Sequence, residues 1–120
     1  MLQLDYKSGT PIYDQIVLKI IKLKMVGALK AGDALPSVRA LAGNLGINPN
    51  TVMRAYAILE EKGVIYSVSG KGSFISGDAD KNSLNNIVLK DFLKAVRDAK
   101  QMGKTAEELK NEIDKIFKEE

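Results

Sequence analysis

LPSVRALAGNLGINPNTVMRAYAILEEKGVIYSVSGKGSFI, residues 35–75, is the stretch whose reading decides the fold. Ser37 stands where a helix cap belongs, before Val38, Leu41, Ala42 and Leu45. That spacing predicts a short helix over 38–45, and Gly46 supplies its left-handed exit. Ile47 follows as a buried spacer. Asn48 then caps a second helix over 49–62, with Pro49 in the first turn, where a missing N–H costs nothing. Val52, Tyr56 and Leu59 make its inward face, and Tyr56 reads as core. Gly63 closes it. Two β-prone runs around Ser-Gly-Lys-Gly, at 64–75, predict a hairpin with glycines at its tip. The order is helix, turn, helix, wing.

Upstream, Leu2 to Asp5 alternates and suggests a short edge strand. Thr10-Pro11 reads as a cap followed by a first-turn proline. Ile12, Ile16, Ile20 and Leu23 then recur at helical spacing over 11–26. AGDALPS at 31–37 reads as a turn, a very short strand and a cap. Downstream, GDADK at 77–81 is a polar linker. Helices are expected over 83–102 and 105–118, the second opened by a Thr105/Glu108 capping box. The expected fold class is mainly α with a small β-wing. It comprises an N-terminal winged helix-turn-helix at 1–77 and a C-terminal two-helix dimerisation tail at 78–120.

Composition narrows the chemistry. The 120 residues contain no cysteine and no histidine. Disulfides, thiolate metal sites and the commonest general base are thereby absent. No enzyme is expected, nor a cofactor or metal. Glu107, Glu108, Glu112 and Asp114 read as helix-start and solvated charges. No apolar run approaches the roughly 18 residues of a membrane span. MLQLDYKSG lacks the basic-then-apolar layout of a signal peptide, so a cytoplasmic protein is expected. The net charge is +3, unevenly spread. Residues 1–77 hold nine Lys/Arg against five Asp/Glu; residues 78–120 hold nine against ten. A basic front half suits a nucleic-acid partner.

A helix that reads the major groove needs a buried face, a start able to meet phosphate, and outward donors. Helix 49–62 carries all three. Its N-terminal amides and dipole are expected to take a phosphate, beside Asn48, Asn50 and Thr51. Asn50 and Arg54, four residues apart, share a face with Met53 and Ala57. Asparagine can pair with adenine, and arginine with guanine. Arg39 and Ser37 belong to the preceding helix start. Ser69, Gly70, Lys71 and Ser73 form a wing tip suited to phosphate or minor groove. Each has a plainer reading: Arg54 as a solvated charge, Arg39 as an ion-pair partner, the tip as a mere turn. Met53 suits groove contact or local packing equally.

TPIYDQI at 10–16, GD.LPSVRALA at 32–42, LGINPNTVMRAY at 45–56, LEEKGVI at 59–65 and GKGSFI at 70–75 carry a specific resemblance. The chain resembles GntR-family winged-helix transcriptional regulators, most of all the short YtrA type. The resemblance implies a dimer that binds double-stranded DNA at an inverted-repeat operator and represses transcription. Regulators of this short type often adjoin genes for ATP-driven membrane transporters. It implies DNA contacts at Arg39, Asn50, Thr51 and the Gly70-Lys71 tip. Some relatives carry arginines where this chain has Pro49 and Met53. The resemblance thus shifts base reading here toward Arg39, Asn50 and Arg54.

The tail explains the dimer. Two amphipathic helices of this length are marginal alone in water and need a partner surface. Val88, Leu89, Phe92 and Val96 line one helix; Leu109, Ile113, Ile116 and Phe117 line the other. A second copy of the same tail is the expected partner. Two helices cannot enclose a ligand cavity of roughly 300 Å3, so an effector would need a pocket between subunits. A small-molecule effector remains open. The competing reading is a winged-helix protein-interaction module without specific DNA binding, which would need no donors on helix 49–62.

Overall fold

The computed structural model describes residues 2–77 and 81–119, excluding the side chains of 81–85. Its contacts divide the chain into two units, Met1–Leu84 and Asn85–Glu120. The first contains α1 (Ile12–Met25), α2 (Val38–Leu45), α3 (Pro49–Glu61), β1 (Ile65–Val68) and β2 (Gly72–Ile75).

The core of this unit is built where α1, α2 and α3 turn their apolar stripes toward one another. Ile16, Val17, Ile20 and Ile21 come from α1, and Leu41 and Ala42 from α2. Val52, Ala55, Tyr56 and Leu59 come from α3, while Val64, Ile65 and Ile75 close it from the hairpin. Burying side chains of this size stabilises by about 1.5–3 kcal/mol each. Ile47 is only half-buried, less than its spacer reading predicts.

The local signals of the helix-turn-helix are present as read. Ser37 Oγ accepts from the Ala40 N–H at 3.0 Å, and Asn48 Oδ1 from the Asn50 N–H at 2.8 Å. Gly46 has φ 68°, and the Ile47 N–H reaches back to the Ala42 carbonyl at 3.0 Å. A side chain there would be strained, so the glycine sets where α2 stops and the chain turns. α3 ends at Glu61 rather than Lys62, a difference within ordinary end fraying.

Two N-terminal expectations are corrected. Leu2 to Asp5 forms no strand. Thr10 does not cap α1: Pro11 is the N-cap and no side chain caps that end. Gln15, the buried polar residue of α1, does the organising instead. Its Nε2 donates to the carbonyls of Asp5 (2.8 Å) and Thr10 (2.9 Å), and its Oε1 accepts from the Asp5 N–H (2.8 Å). The side-chain amide thus substitutes for a strand partner. It holds the N-terminal segment on α1 and is itself satisfied despite burial.

The wing pairs antiparallel, Ile65 with Ile75 through Val68 with Gly72. A further segment joins it, as the short-strand reading of 31–37 anticipates. Leu35 N–H donates to Ser73 O at 2.9 Å, and Ile75 N–H to Asp33 O at 2.9 Å, around an Ala34–Phe74 bridge. β2 is therefore paired on both sides and tied to the entry of α2.

The second unit consists of α4 (Lys81–Gln101), whose first turn lies in the other unit, and α5 (Ala106–Phe117). The linker expected at 77–81 falls largely on 78–80, outside the described residues, and Lys81 already belongs to α4. The capping box is present. Thr105 Oγ1 accepts from the Glu108 N–H at 3.1 Å, and Glu108 Oε1 from the Thr105 N–H at 3.0 Å. The Thr105 N–H and the Thr105 hydroxyl, both donating to Glu108 Oε1, hold that carboxyl below its ordinary pKa, with Lys104 adding a smaller pull. Lys94–Asp98 at 2.8 Å and Lys115–Glu112 at 3.4 Å are exposed pairs on the helix surfaces. Such pairs contribute little to stability.

Candidate nucleic-acid interface

Helix α3 is held by its inner face. Val52, Ala55 and Leu59 are fully buried, and Tyr56 nearly so. The Tyr56 hydroxyl donates to the Pro36 carbonyl at 2.7 Å, linking the middle of α3 to the residue before the α2 cap. Burial pushes its phenol up to about 12. Tyr56 is core, as its spacing implies, and no base can stack on it. Asn48, Pro49, Asn50, Met53, Arg54 and Ala57 are exposed, while Thr51 is half-buried. α3 thus has an apolar inner face and a polar outer one, the geometry that groove reading requires.

The start of α3 differs from its sequence reading. Pro49 has no N–H, the Asn50 N–H is taken by Asn48 Oδ1, and the Thr51 N–H bonds to Asn48 O at 3.0 Å. The expected amide cradle for phosphate is already occupied by its own cap. What remains is the positive end of the helix dipole and side-chain donors: the Asn48 and Asn50 amides and the Thr51 hydroxyl. Ser37 likewise spends its oxygen as a cap acceptor but keeps a hydroxyl proton to donate.

The two arginines occupy different settings. Arg39, in the first turn of α2, is exposed and enters no ion pair among the described residues. Its plain reading as an ion-pair partner is therefore not the one observed. Arg54 is exposed too, yet its guanidinium carbon lies 4.0 Å from the centroid of the Tyr13 ring on α1. It is exposed but supported by an aromatic ring, not a freely solvated charge.

At the wing tip the Lys71 N–H closes a turn on Val68 O at 2.9 Å. Gly70 takes φ 75° inside that turn, which a side chain there would resist. Ser69, Gly70 and Lys71 are all exposed at the apex. Ser73 lies lower, with its hydroxyl 3.2 Å from that of Ser67. Tyr66 and Phe74 stack on the hairpin at 5.7 Å between ring centroids. The wing is also tied to α3, because the Ser67 N–H donates to Glu60 Oε1 at 3.2 Å.

Tyr13, Gln15 and Glu60 did not emerge from the sequence as contributors to this surface. Only Gln15 left a trace, as a polar residue beside the apolar stripe of α1. The other two act through contacts between elements.

A family model described as bacterial regulatory proteins, gntR family, matches residues 12–75. The chain is 40% identical over 119 residues to the HTH-type transcriptional repressor YtrA of Bacillus subtilis (strain 168), covering 97% of this chain and 92% of that protein. It is similar in structure to YtrA from Sulfolobus acidocaldarius, a GntR-family transcription factor (TM-score 0.62, 39% identity, 77% of this chain and 97% of that one). It also resembles the DNA-binding domain of AraR in complex with operator ORE1 (TM-score 0.54, 25% identity, 63% of this chain and 93% of that one). The matched residues span the whole helix-turn-helix and wing, and the chain belongs to the GntR family of bacterial regulatory proteins as a winged-helix transcriptional regulator of the YtrA type.

Proposed function

We propose that this regulator represses transcription by binding an inverted-repeat operator as a homodimer, with transporter genes among its targets. The observation that carries the reading is α3 itself: an inner face buried to completion beneath exposed Asn50, Met53 and Arg54. A protein-interaction helix needs no exposed pair of base-pairing donors such as Asn50 and Arg54. Asn50 and Arg54 read base edges, with Arg39 at the groove margin. Ser37, Asn48 and Thr51 donate to phosphate, and Pro49 sets the approach of the backbone. Ser69, Gly70 and Lys71 bring the wing to the flanking backbone.

The domain division at 77/78 and the dimeric tail belong to the same proposal. Exposed apolar side chains on α4 and α5 support it. Phe92 is 46% exposed, Ile116 60% and Phe117 84%, and no residue of α5 is buried. Val88, Leu89 and Ile113 are exposed as well, with Val96 and Leu109 half-buried. Leu93 and Met102, which the stripe reading left out, extend the apolar surface. A second tail would cover these faces, and two-fold pairing would set two reading helices on successive half-sites.

Selection from random duplexes, followed by footprinting on the enriched sequence, tests the reading. A palindromic site protected at nanomolar to sub-nanomolar protein supports it. Sedimentation of Phe92→Glu/Ile116→Glu tests the tail: monomers with weakened operator binding are expected. An unchanged dimer refutes the assigned interface.

A further inference from the structure

Arg54 is one of the two base-reading donors proposed on α3, and the way it is held has a consequence for specificity. Arginine on a bare helix surface has many rotamers, and each contact with a base edge must select one. Here the guanidinium lies 4.0 Å from the centroid of the Tyr13 ring. Tyr13 is half-buried in the first turn of α1. That turn is itself anchored two residues on, where Gln15 bonds Asp5 and Thr10. The ring is half-buried on a helix whose next turn places Ile16, Val17 and Ile20 in the core, so it offers a better-held support than a fully exposed side chain.

We propose that Tyr13 is a positioning residue for base reading: its ring holds the Arg54 guanidinium in place so that the N–H fork meets a guanine in the groove. A contact through the aromatic face uses none of the five guanidinium donors as hydrogen bonds. The fork stays available for the paired acceptors of guanine, while its freedom is reduced before DNA arrives. The first turn of α1 thereby takes part in specificity without touching a base. The inference rests on the operator-binding proposal above.

The full-length protein and its selected duplex supply the test, with a scrambled duplex as control. Tyr13→Leu is expected to weaken binding to the selected duplex by about two- to fivefold, the size of an exposed cation–π contact. Binding to the scrambled duplex changes less. A repeated selection with Tyr13→Leu is expected to lose preference at the same base positions as Arg54→Ala. Tyr13→Phe, which keeps the ring, restores that preference. Tyr13→Leu/Arg54→Ala is expected to bind no more weakly than Arg54→Ala alone.

Additive losses, an unchanged base preference or tighter binding in Tyr13→Leu overturns the inference. An NMR measurement on the wild-type chain keeps the test independent of variant folding. The Arg54 side-chain N–H resonance is expected upfield, shielded by the ring, in the free protein and on the selected duplex. A resonance that returns to the unshielded position on binding overturns the proposal. Failure of the wild-type protein to enrich any sequence sinks the operator reading and this inference together. Enrichment that is insensitive to Tyr13 sinks this inference alone.

Discussion

The carboxylate of Glu60, in the last turn of α3, accepts a hydrogen bond from the backbone N–H of Ser67 in β1 at 3.2 Å. The bond lies outside the β1–β2 ladder and ties the wing to the helix that it accompanies. Glu60→Ala is expected to cost no more than about 1 kcal/mol of stability, since the contact is exposed. Its sharper effect is local. Amide exchange at Ser67 is expected to speed up, and the wing's share of DNA affinity to fall. Hydrogen exchange with and without a bound duplex checks both. Unchanged Ser67 protection sinks the idea.

Tyr56 links α3 to the start of α2 through Pro36, and its burial gives a pH signature. The phenol is pushed up to about 12. In the unfolded chain it ionises near 10. The neutral folded form is thus favoured, and its contribution is fully present below pH 10 and lost as pH rises through about 12. Ultraviolet titration of tyrosinate is expected to show one late component that disappears in Tyr56→Phe. That variant is also expected to lose about 1 kcal/mol in urea denaturation, the worth of the bond to Pro36.

Stability and the proposed base reading are expected to separate along α3. Leu59 is fully buried, and Leu59→Ala is expected to cost about 2–5 kcal/mol through the cavity it leaves. Asn50 is exposed, and Asn50→Ala is expected to leave the melting temperature nearly unchanged. The same substitution is expected to weaken operator binding by about 1–3 kcal/mol and relax one base preference. Parallel denaturation and binding curves check the pair. Equal losses of Asn50→Ala on operator and random duplexes would remove its reading role.

Lys71 stands exposed at the wing apex between Gly70 and Gly72, and its proposed role is a phosphate contact. Lys71→Ala is expected to weaken all duplexes alike and to reduce the salt slope by about one unit, the release of one phosphate contact. Binding titrations across salt concentrations measure the slope. An unaltered slope would remove Lys71 from the interface.

The tail offers a simple acid test. Glu108 carries a depressed pKa because the Thr105 backbone and hydroxyl hydrogen-bond its carboxylate. Its contribution is therefore present above the ordinary glutamate pKa and is lost as pH falls through the lower folded value. Helicity of α5 is expected to drop over that window in the wild type, with a smaller change in Thr105→Ala. Circular dichroism across acid pH compares the two.

Much of the fold follows from signals that act within a single turn of chain. Ser37 and Asn48-Pro49 start their helices, Gly46 stops one, and Gly70 turns the hairpin, because each works on backbone groups two to four residues away. Periodicity then assigned the buried faces of α2 and α3, and with them the outward row from Asn50 to Arg54. The N-terminal cap was misread for the complementary reason. Thr10 has the chemistry of a cap, yet the helix starts one residue later with Pro11 as its N-cap, and the Thr10 carbonyl is instead bonded by the Gln15 side-chain amide once Asp5 is brought against α1.

Sequence alone therefore determined the order of the helices and the wing and the face of α3 that meets solvent, since these depend on local backbone chemistry and the spacing of apolar residues, while the quoted motifs carried the family resemblance. The tertiary structure decided how the surface is held. It laid Arg54 on Tyr13, joined Glu60 to Ser67, seated Tyr56 beneath Pro36 and added residues 33–35 to β2. These partners lie far apart in the chain or in different elements. Only packing brings them within the few ångströms over which a hydrogen bond or a cation–π contact operates.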